Sequence, residues 1–278
     1  MNTMNFNNRH SFGQPQAAMT NDQLRAVAPS IFATQPWHAM SDKYAFIPTI
    51  TVVEALRQNG LVPVSAVQSR TRVPGKGEFT KHQIRFRQIS GEGVTRFLGQ
   101  LFPEVVVTNS HDGASAYKVD AGLKRLICLN GLMVDDSIIG AVSVRHSGNP
   151  DGIIDASYEV IDQMPRAIES VESFQRLQLA PAEQAAFATA AIALRYDEGE
   201  APVTPAQVIT PRRVQDRATD LWTSFNVVQE NLVQGGLRGR KPETLRRART
   251  RAVTGIAENT KLNKALWTLA EEMKKLKS

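Results

Sequence analysis

The sequence contains one cysteine, few aromatic residues and no long hydrophobic run. Cys128 has no second cysteine in the chain to pair with, which excludes an internal disulfide and favours a reducing compartment. Its apolar neighbours favour a buried small hydrophobe over a nucleophile. No stretch is apolar enough to span a bilayer, and the Asn-, Gln- and Ser-rich start has no signal-type segment. We therefore expect a cytoplasmic protein with no membrane partner.

Motifs for catalysis and cofactor binding are also missing. The five histidines show no metal-ligand spacing, and the short Gly-Lys-Gly and Gly-Glu-Gly strings are too short for a phosphate loop. Ser110, His111 and Asp112 are adjacent in the chain, and adjacent residues rarely converge their side chains as a triad does. His111 is expected to make local hydrogen bonds. Asp135 and Asp136 favour an exposed acidic turn over a metal site, so the sequence predicts no catalytic site, no cofactor and no metal.

Positive charge is concentrated at one end of the chain. The 278 residues carry a formal net charge of +6. Residues 235–278 contain twelve Lys or Arg against four Asp or Glu, a net +8 that leaves −2 for the other 234 residues. This asymmetry indicates an anionic partner, most often nucleic acid, although a basic solubilising tail gives the same pattern.

Hydrophobic patterns along the chain favour strands first and helices second. Two runs of strand character, residues 61–73 and 78–89, flank a Pro-Gly-Lys-Gly turn and predict a β-hairpin; the first of them is rich in Val, Ser and Thr. Further strands are predicted at residues 105–109, 115–119, 123–129 and 138–145. Helices are predicted at residues 51–59, after residue 152, from Pro181, and at about 217–233 and 260–277.

The order of these elements predicts an α+β fold, with an antiparallel sheet that begins in a basic N-terminal hairpin and a helical C-terminal half. Composition divides the chain further. We expect a disordered tail at residues 1–20, an α+β core domain at 21–196, a linker or long loop at 197–216, and a helical basic region at 217–278.

The predicted hairpin carries the first candidate site. Side chains alternate between the two faces of a strand, so residues two apart share a face at a spacing of about 6.6 Å. This pattern predicts an exposed row of cations without an acid, which could follow a phosphate backbone. An ordinary solvated sheet face is the alternative. The cations of this row are Arg70, Arg72, Lys81, Arg85 and Arg87.

A second candidate site lies in the basic C-terminal region. Arginine dominates it, which suits bidentate contacts to phosphate groups. A flexible solvated loop with incidental charge is the alternative. The cations of this cluster are Arg238, Arg240, Lys241, Arg246, Arg247, Arg249 and Arg251.

Five short strings, taken in their order, resemble the domain-of-unknown-function family 932 of phage- and plasmid-like proteins. They are NSHDG at 109–113, RLICLNG at 125–131, VRHSG at 144–148, NVVQEN at 226–231 and LNKALW at 262–267. The resemblance covers about residues 30–278. It implies a mobile-element origin, and hence the cytoplasm of a bacterial host, but no activity.

The order of a short helix, antiparallel strands that begin in a basic hairpin, and a long helix is similar to that of Rad52-type single-strand annealing proteins. Those proteins form rings and hold single-stranded DNA in a basic groove. The similarity and the charge together predict a protein that binds or anneals single-stranded DNA in phage recombination or replication, as a homo-oligomeric ring or filament. The alternatives are a host-takeover or anti-defence module that binds a host protein, and an enzyme such as a nuclease.

Overall fold

The computed structural model describes residues 17–41, 44–88, 101–125, 131–134, 142–144 and 151–277. The predicted α+β class is confirmed, because an antiparallel sheet occupies the N-terminal half and helices occupy most of the C-terminal half. Among these residues, no helix has the length and hydropathy needed to cross a membrane.

The sheet follows the path β1-β2-β3-β4-β5, and a sixth strand also pairs with β4. All of its pairings are antiparallel. The strands are β1 Leu61–Gln68, β2 His82–Gln88, β3 Leu101–Asn109, β4 Tyr117–Arg125, β5 Gly131–Met133 and β6 Val142–Val144.

The predicted hairpin is confirmed as β1 and β2, but both strands are shorter than predicted. Residues 69–81 form a wide loop that contains a 3₁₀ turn at Gly77–Phe79. The prediction of separate strands at 115–119 and 123–129 is wrong, because β4 runs through Gly122 without a break. Gly122 stays in the strand because Glu104 on β3 and Met133 on β5 pair with it on either side.

Helices cover most of the remaining described chain. Pro181 opens a helix as predicted, since its missing N–H and fixed φ suit a first turn. Asp220 begins another, and its carboxylate accepts the backbone N–H of Thr223 at 2.9 Å. The helices are α1 Asn21–Val27, α2 Thr49–Gln58, α3 Asp151–Arg176, α4 Pro181–Ala193, α5 Pro205–Val208, α6 Leu221–Gln234 and α7 Ile256–Lys277.

One hydrophobic core joins the sheet to the helices. Helix α3 packs against β3 and β4, and α6 is buried along nearly its whole length. At its centre, the indole of Trp267 on α7 lies 5.8 Å from the ring of Phe225 on α6 and 5.7 Å from that of Phe174 on α3. This contact holds the middle of α7 against α3 and α6.

Candidate nucleic-acid interface

The structure contradicts the predicted exposure of Arg85 and Arg87. Arg87 is only 7% exposed, and both side chains bind the buried carboxylate of Glu104 on β3. Arg85 Nη1 donates to Glu104 Oε2 at 2.8 Å, and Arg87 Nε and Nη2 donate to Oε1 at 2.9 and 2.7 Å. The expectation of a face without an acid is therefore wrong, because the neighbouring strand supplies one.

Two glycines of the sheet leave the space that the Arg85 side chain occupies. A Cβ on Gly131 would lie 2.4 Å from Arg85 Cζ, and one on Gly122 would lie 3.0 Å from Nη1. Arg87 lies over the ring of Phe102, with 4.8 Å between Cζ and the ring centroid. Both guanidinium groups are thus engaged within the sheet, by Glu104 and, for Arg87, by the ring of Phe102 as well.

Arg70, Arg72 and Lys81 lie in the β1–β2 loop, residues 69–81, and not in strands as predicted. The strands end early because Thr80 Oγ1 donates to the Ser69 carbonyl at 2.9 Å and Gln68 Nε2 donates to the Gly77 carbonyl at 2.6 Å. Arg70 and Arg72 are exposed and Lys81 is half-buried. Within the described part of the chain, none of the three side chains forms an ion pair or a hydrogen bond.

A groove of about 470 Å³ lies beside this loop, and we name it the loop groove. Arg70, Thr71 and Lys81 line it on the loop side, and residues 255–258 at the start of α7 line it as well. The β3–β4 turn contributes Asp112, whose carboxylate lies 3.1 Å from Lys76 Nζ. The groove thus brings together side chains that lie far apart in the sequence.

The C-terminal basic cluster forms a second hairpin, residues 238–249, which we name the arginine hairpin. Strands β7 Arg238–Arg240 and β8 Arg247–Arg249 pair antiparallel. Arg238 lies opposite Arg249, and Arg240 lies opposite Arg247. Because side chains alternate along each strand, all four arginines share one face of the hairpin. All four are exposed.

The opposite face of the arginine hairpin packs on the chain before α5. A Cβ on Gly239 would lie 1.7 Å from the Pro202 carbonyl oxygen, which accepts the backbone N–H of Arg240 at 2.9 Å. Gln207 Nε2 donates to the Arg238 carbonyl at 2.7 Å. The arginine face is therefore turned away from this packing. Residues 238–240 and 247–249 are paired strands, and not the solvated loop that was the alternative prediction.

The charges on this face have no acidic partner among the described residues, although Arg249 Nε donates to the Gly236 carbonyl at 2.9 Å. Like charges directly opposite each other destabilise an antiparallel pair, and the hairpin contains two such pairs. No acid among the residues that the structure describes forms an ion pair with any of the four arginines. Lys241 and Arg246, joined by a 2.9 Å backbone hydrogen bond, lie at the hairpin tip, and Arg251 follows it. The arrangement suits a multivalent anion.

The packing at Gly239 gives a first testable prediction. Gly239→Ala is expected to lower the free energy of unfolding by about 1–3 kcal/mol, because the new methyl group overpacks against Pro202. Urea denaturation measures the change. Gly77→Ala is the matched control, since nothing lies within 4 Å of its added Cβ. Equal stability of the two variants would contradict this packing.

The NSHDG string builds a buried polar network around one hydroxyl group. Thr49 Oγ1 lies 2.9 Å from His82 Nε2, 3.0 Å from Asn109 Nδ2, 3.0 Å from the Tyr117 hydroxyl and 3.1 Å from His111 Nε2. All five residues are completely buried. Burial raises the pKa of the Tyr117 phenol. His111 was predicted to make local hydrogen bonds, but its side chain instead contacts Thr49, which lies 62 residues away in the chain.

The remaining sequence predictions of chemistry concern metals and the single cysteine. In the described ranges, no group of three or more His, Cys, Asp or Glu is placed to hold a metal ion. Cys128, Asp135 and Asp136 lie outside the residues that the structure describes.

Comparison with known proteins identifies relatives along nearly the whole chain. Two Escherichia coli (strain K12) proteins, UPF0380 protein YafZ and UPF0380 protein YfjQ, are each 41% identical over 256 residues. Each match covers 92% of this chain and 91% of the relative. No solved structure matches the chain. The model of the family described as "Domain of unknown function (DUF932)" matches residues 36–267, so the chain belongs to that family.

Proposed function

We propose that this protein binds single-stranded nucleic acid through the arginine hairpin and serves strand annealing in recombination or replication of a phage or plasmid. The observation that carries the proposal is the face of four exposed arginines in two like-charged cross-strand pairs. A fold keeps such a face at a cost in stability, and a phosphate backbone supplies the missing counter-charge.

The chemistry of arginine suits a single strand. Each guanidinium donates hydrogen bonds to phosphate in a fixed fork, and its plane also stacks on an unpaired base. Phosphate contacts fix the strand without reading its sequence and leave base edges free to pair. Annealing needs this combination of firm backbone contact and accessible bases.

Salt-dependent binding provides the test. Fluorescence anisotropy would measure affinity for a labelled single strand and for the matching duplex over a salt titration. We expect tighter binding of the single strand, and a linear fall of log affinity with log salt concentration. Replacing Arg238, Arg240, Arg247 and Arg249 together with alanine should reduce that slope by about 0.7 for each phosphate group that the variant no longer neutralises.

Two controls separate binding from folding. The melting temperature of the quadruple variant should stay close to that of the unchanged protein, because the like-charge repulsion that the substitution removes offsets the lost hydrogen bond from Arg249 Nε to the Gly236 carbonyl. Arg176→Ala removes an exposed arginine on α3 that is paired with Glu172, and it should leave binding unchanged. Unchanged affinity and slope in the quadruple variant would overturn the proposal.

A further inference from the structure

The loop groove is lined by cations that have no ion-pair partner among the described residues. Arg70 and Lys81 line it, and within the described residues neither side chain has an acidic or hydrogen-bonding partner. Lys76, by contrast, forms an ion pair with Asp112 at 3.1 Å. Glu258 is the other carboxylate that lines the groove. Two unpaired cations thus face one unpaired carboxylate.

Neutral donors complete the lining. The hydroxyl oxygen of Thr71 accepts the backbone N–H of Val73 at 3.1 Å, which leaves the hydroxyl proton of Thr71 free to donate. Ser69 adds a second hydroxyl group. Hydroxyl, ammonium and guanidinium donors together are the groups that bind a phosphate oxygen.

The size and position of the groove suit a nucleotide. Its volume of about 470 Å³ lies within the range of sites that bind small ligands. Residues 250–254 connect the arginine hairpin to the groove, and the six residue steps from Arg249 to Gly255 span at most about 22 Å. A strand that lies on the C-terminal end of the arginine hairpin therefore needs to continue by no more than about 22 Å to reach the groove.

We propose that the loop groove is a phosphate site, and that its phosphate comes from the same single strand that the arginine hairpin binds. That the phosphate belongs to this strand rests on the proposed function. The two basic surfaces then form one track that runs from the hairpin into the groove, and the minimum length of bound strand is set by the distance between them.

Affinity measured against strand length tests the track. Arg70→Ala/Lys81→Ala should weaken binding of long single strands about tenfold, because it removes two charge-assisted contacts. The same double substitution should leave almost unchanged the affinity for strands that are too short to reach from the hairpin to the groove. Glu258→Gln should tighten binding of the long strands roughly threefold, since it removes the opposing charge. Lys261→Ala, an exposed cation of α7 that does not line the groove, is the matched control.

A small phosphate probe separates the two proposals. Pyrophosphate should raise the melting temperature of the quadruple arginine-hairpin variant above that in sodium chloride of equal ionic strength, and should not do so once Arg70→Ala/Lys81→Ala is added to that variant. Strand binding that survives this double substitution but is lost with the arginine hairpin overturns the track and leaves the proposed function intact. A pyrophosphate shift without any strand binding supports the groove as a phosphate site and overturns the proposed function. No pyrophosphate shift overturns the groove.

Discussion

Glu104→Gln is expected to lower the free energy of unfolding by about 3–5 kcal/mol, because it leaves two guanidinium groups buried without a counter-charge. Glu104 is 1% exposed and uses both carboxylate oxygens on Arg85 and Arg87. Arg87 has no spare partner among the described residues, because its Nη1 is already buried without a hydrogen bond there. Glutamine has the same shape but only one accepting oxygen, and it carries no charge.

Urea denaturation of the purified protein measures this loss. Glu172→Gln is the matched control, because Glu172 forms an exposed ion pair with Arg176 on α3. That pair should contribute less than about 1 kcal/mol. A loss at Glu104 no larger than the loss at Glu172 would show that the two buried arginines find other partners.

Glu104 also shows where the sequence misleads. The alternation along β2 correctly placed Arg85 and Arg87 on one face, since both side chains bind the same carboxylate. Their burial was not predictable, because the acid comes from β3 and the space for Arg85 comes from Gly122 and Gly131. The pattern of one strand predicts which residues share a face. It does not predict what the neighbouring strands place on that face.

The sequence of the C-terminal basic cluster contains a strand pattern that the prediction above, which considered only its charge, did not use. Arg-Gly-Arg and Arg-Ala-Arg alternate large and small residues with the period of a strand, on both sides of a short polar segment. This alternation predicts a hairpin with one arginine face. No sequence pattern predicts the contact of Gly239 with Pro202, because the two residues lie far apart in the chain. The same holds for the loop groove, which residues 255–258 line together with the distant β1–β2 loop.

The NSHDG string shows a similar division. Its Asp112-Gly113 pair marked a turn, and Gly113 does adopt a positive φ of 76° there. The hub of the network, Thr49, lies 60 residues before Asn109 in the chain and has no motif of its own. The second histidine of the network, His82, lies on β2, 33 residues after Thr49 in the chain. Its burial leads to a pH-dependent stability.

His82 is neutral in the folded protein. Complete burial, and secondarily the nearby His111, lower the pKa of the His82 imidazole to about 3, against an ordinary value of 6.5. The Thr80 carbonyl and the Asp112 carboxylate oppose this shift but do not cancel it. The ring nitrogens are already engaged, since Nδ1 lies 2.8 Å from Ser30 Oγ and Nε2 lies 2.9 Å from Thr49 Oγ1. A proton added to the ring would therefore disturb the network.

Stability is consequently expected to fall as the pH drops below about 6.5. The unfolded chain takes up a proton on His82 from that pH downward, whereas the folded chain does so only near pH 3. Each pH unit in this window lowers the free energy of unfolding by about 1.4 kcal/mol, a loss of about 2.7 kcal/mol by pH 4.5. His82→Gln should be less stable at neutral pH and should lose less stability on acidification. Urea denaturation at several pH values measures both effects, with His38→Gln as the matched control because that histidine is exposed. An unchanged pH slope in His82→Gln would show that His82 is not the group whose burial couples folding to protons.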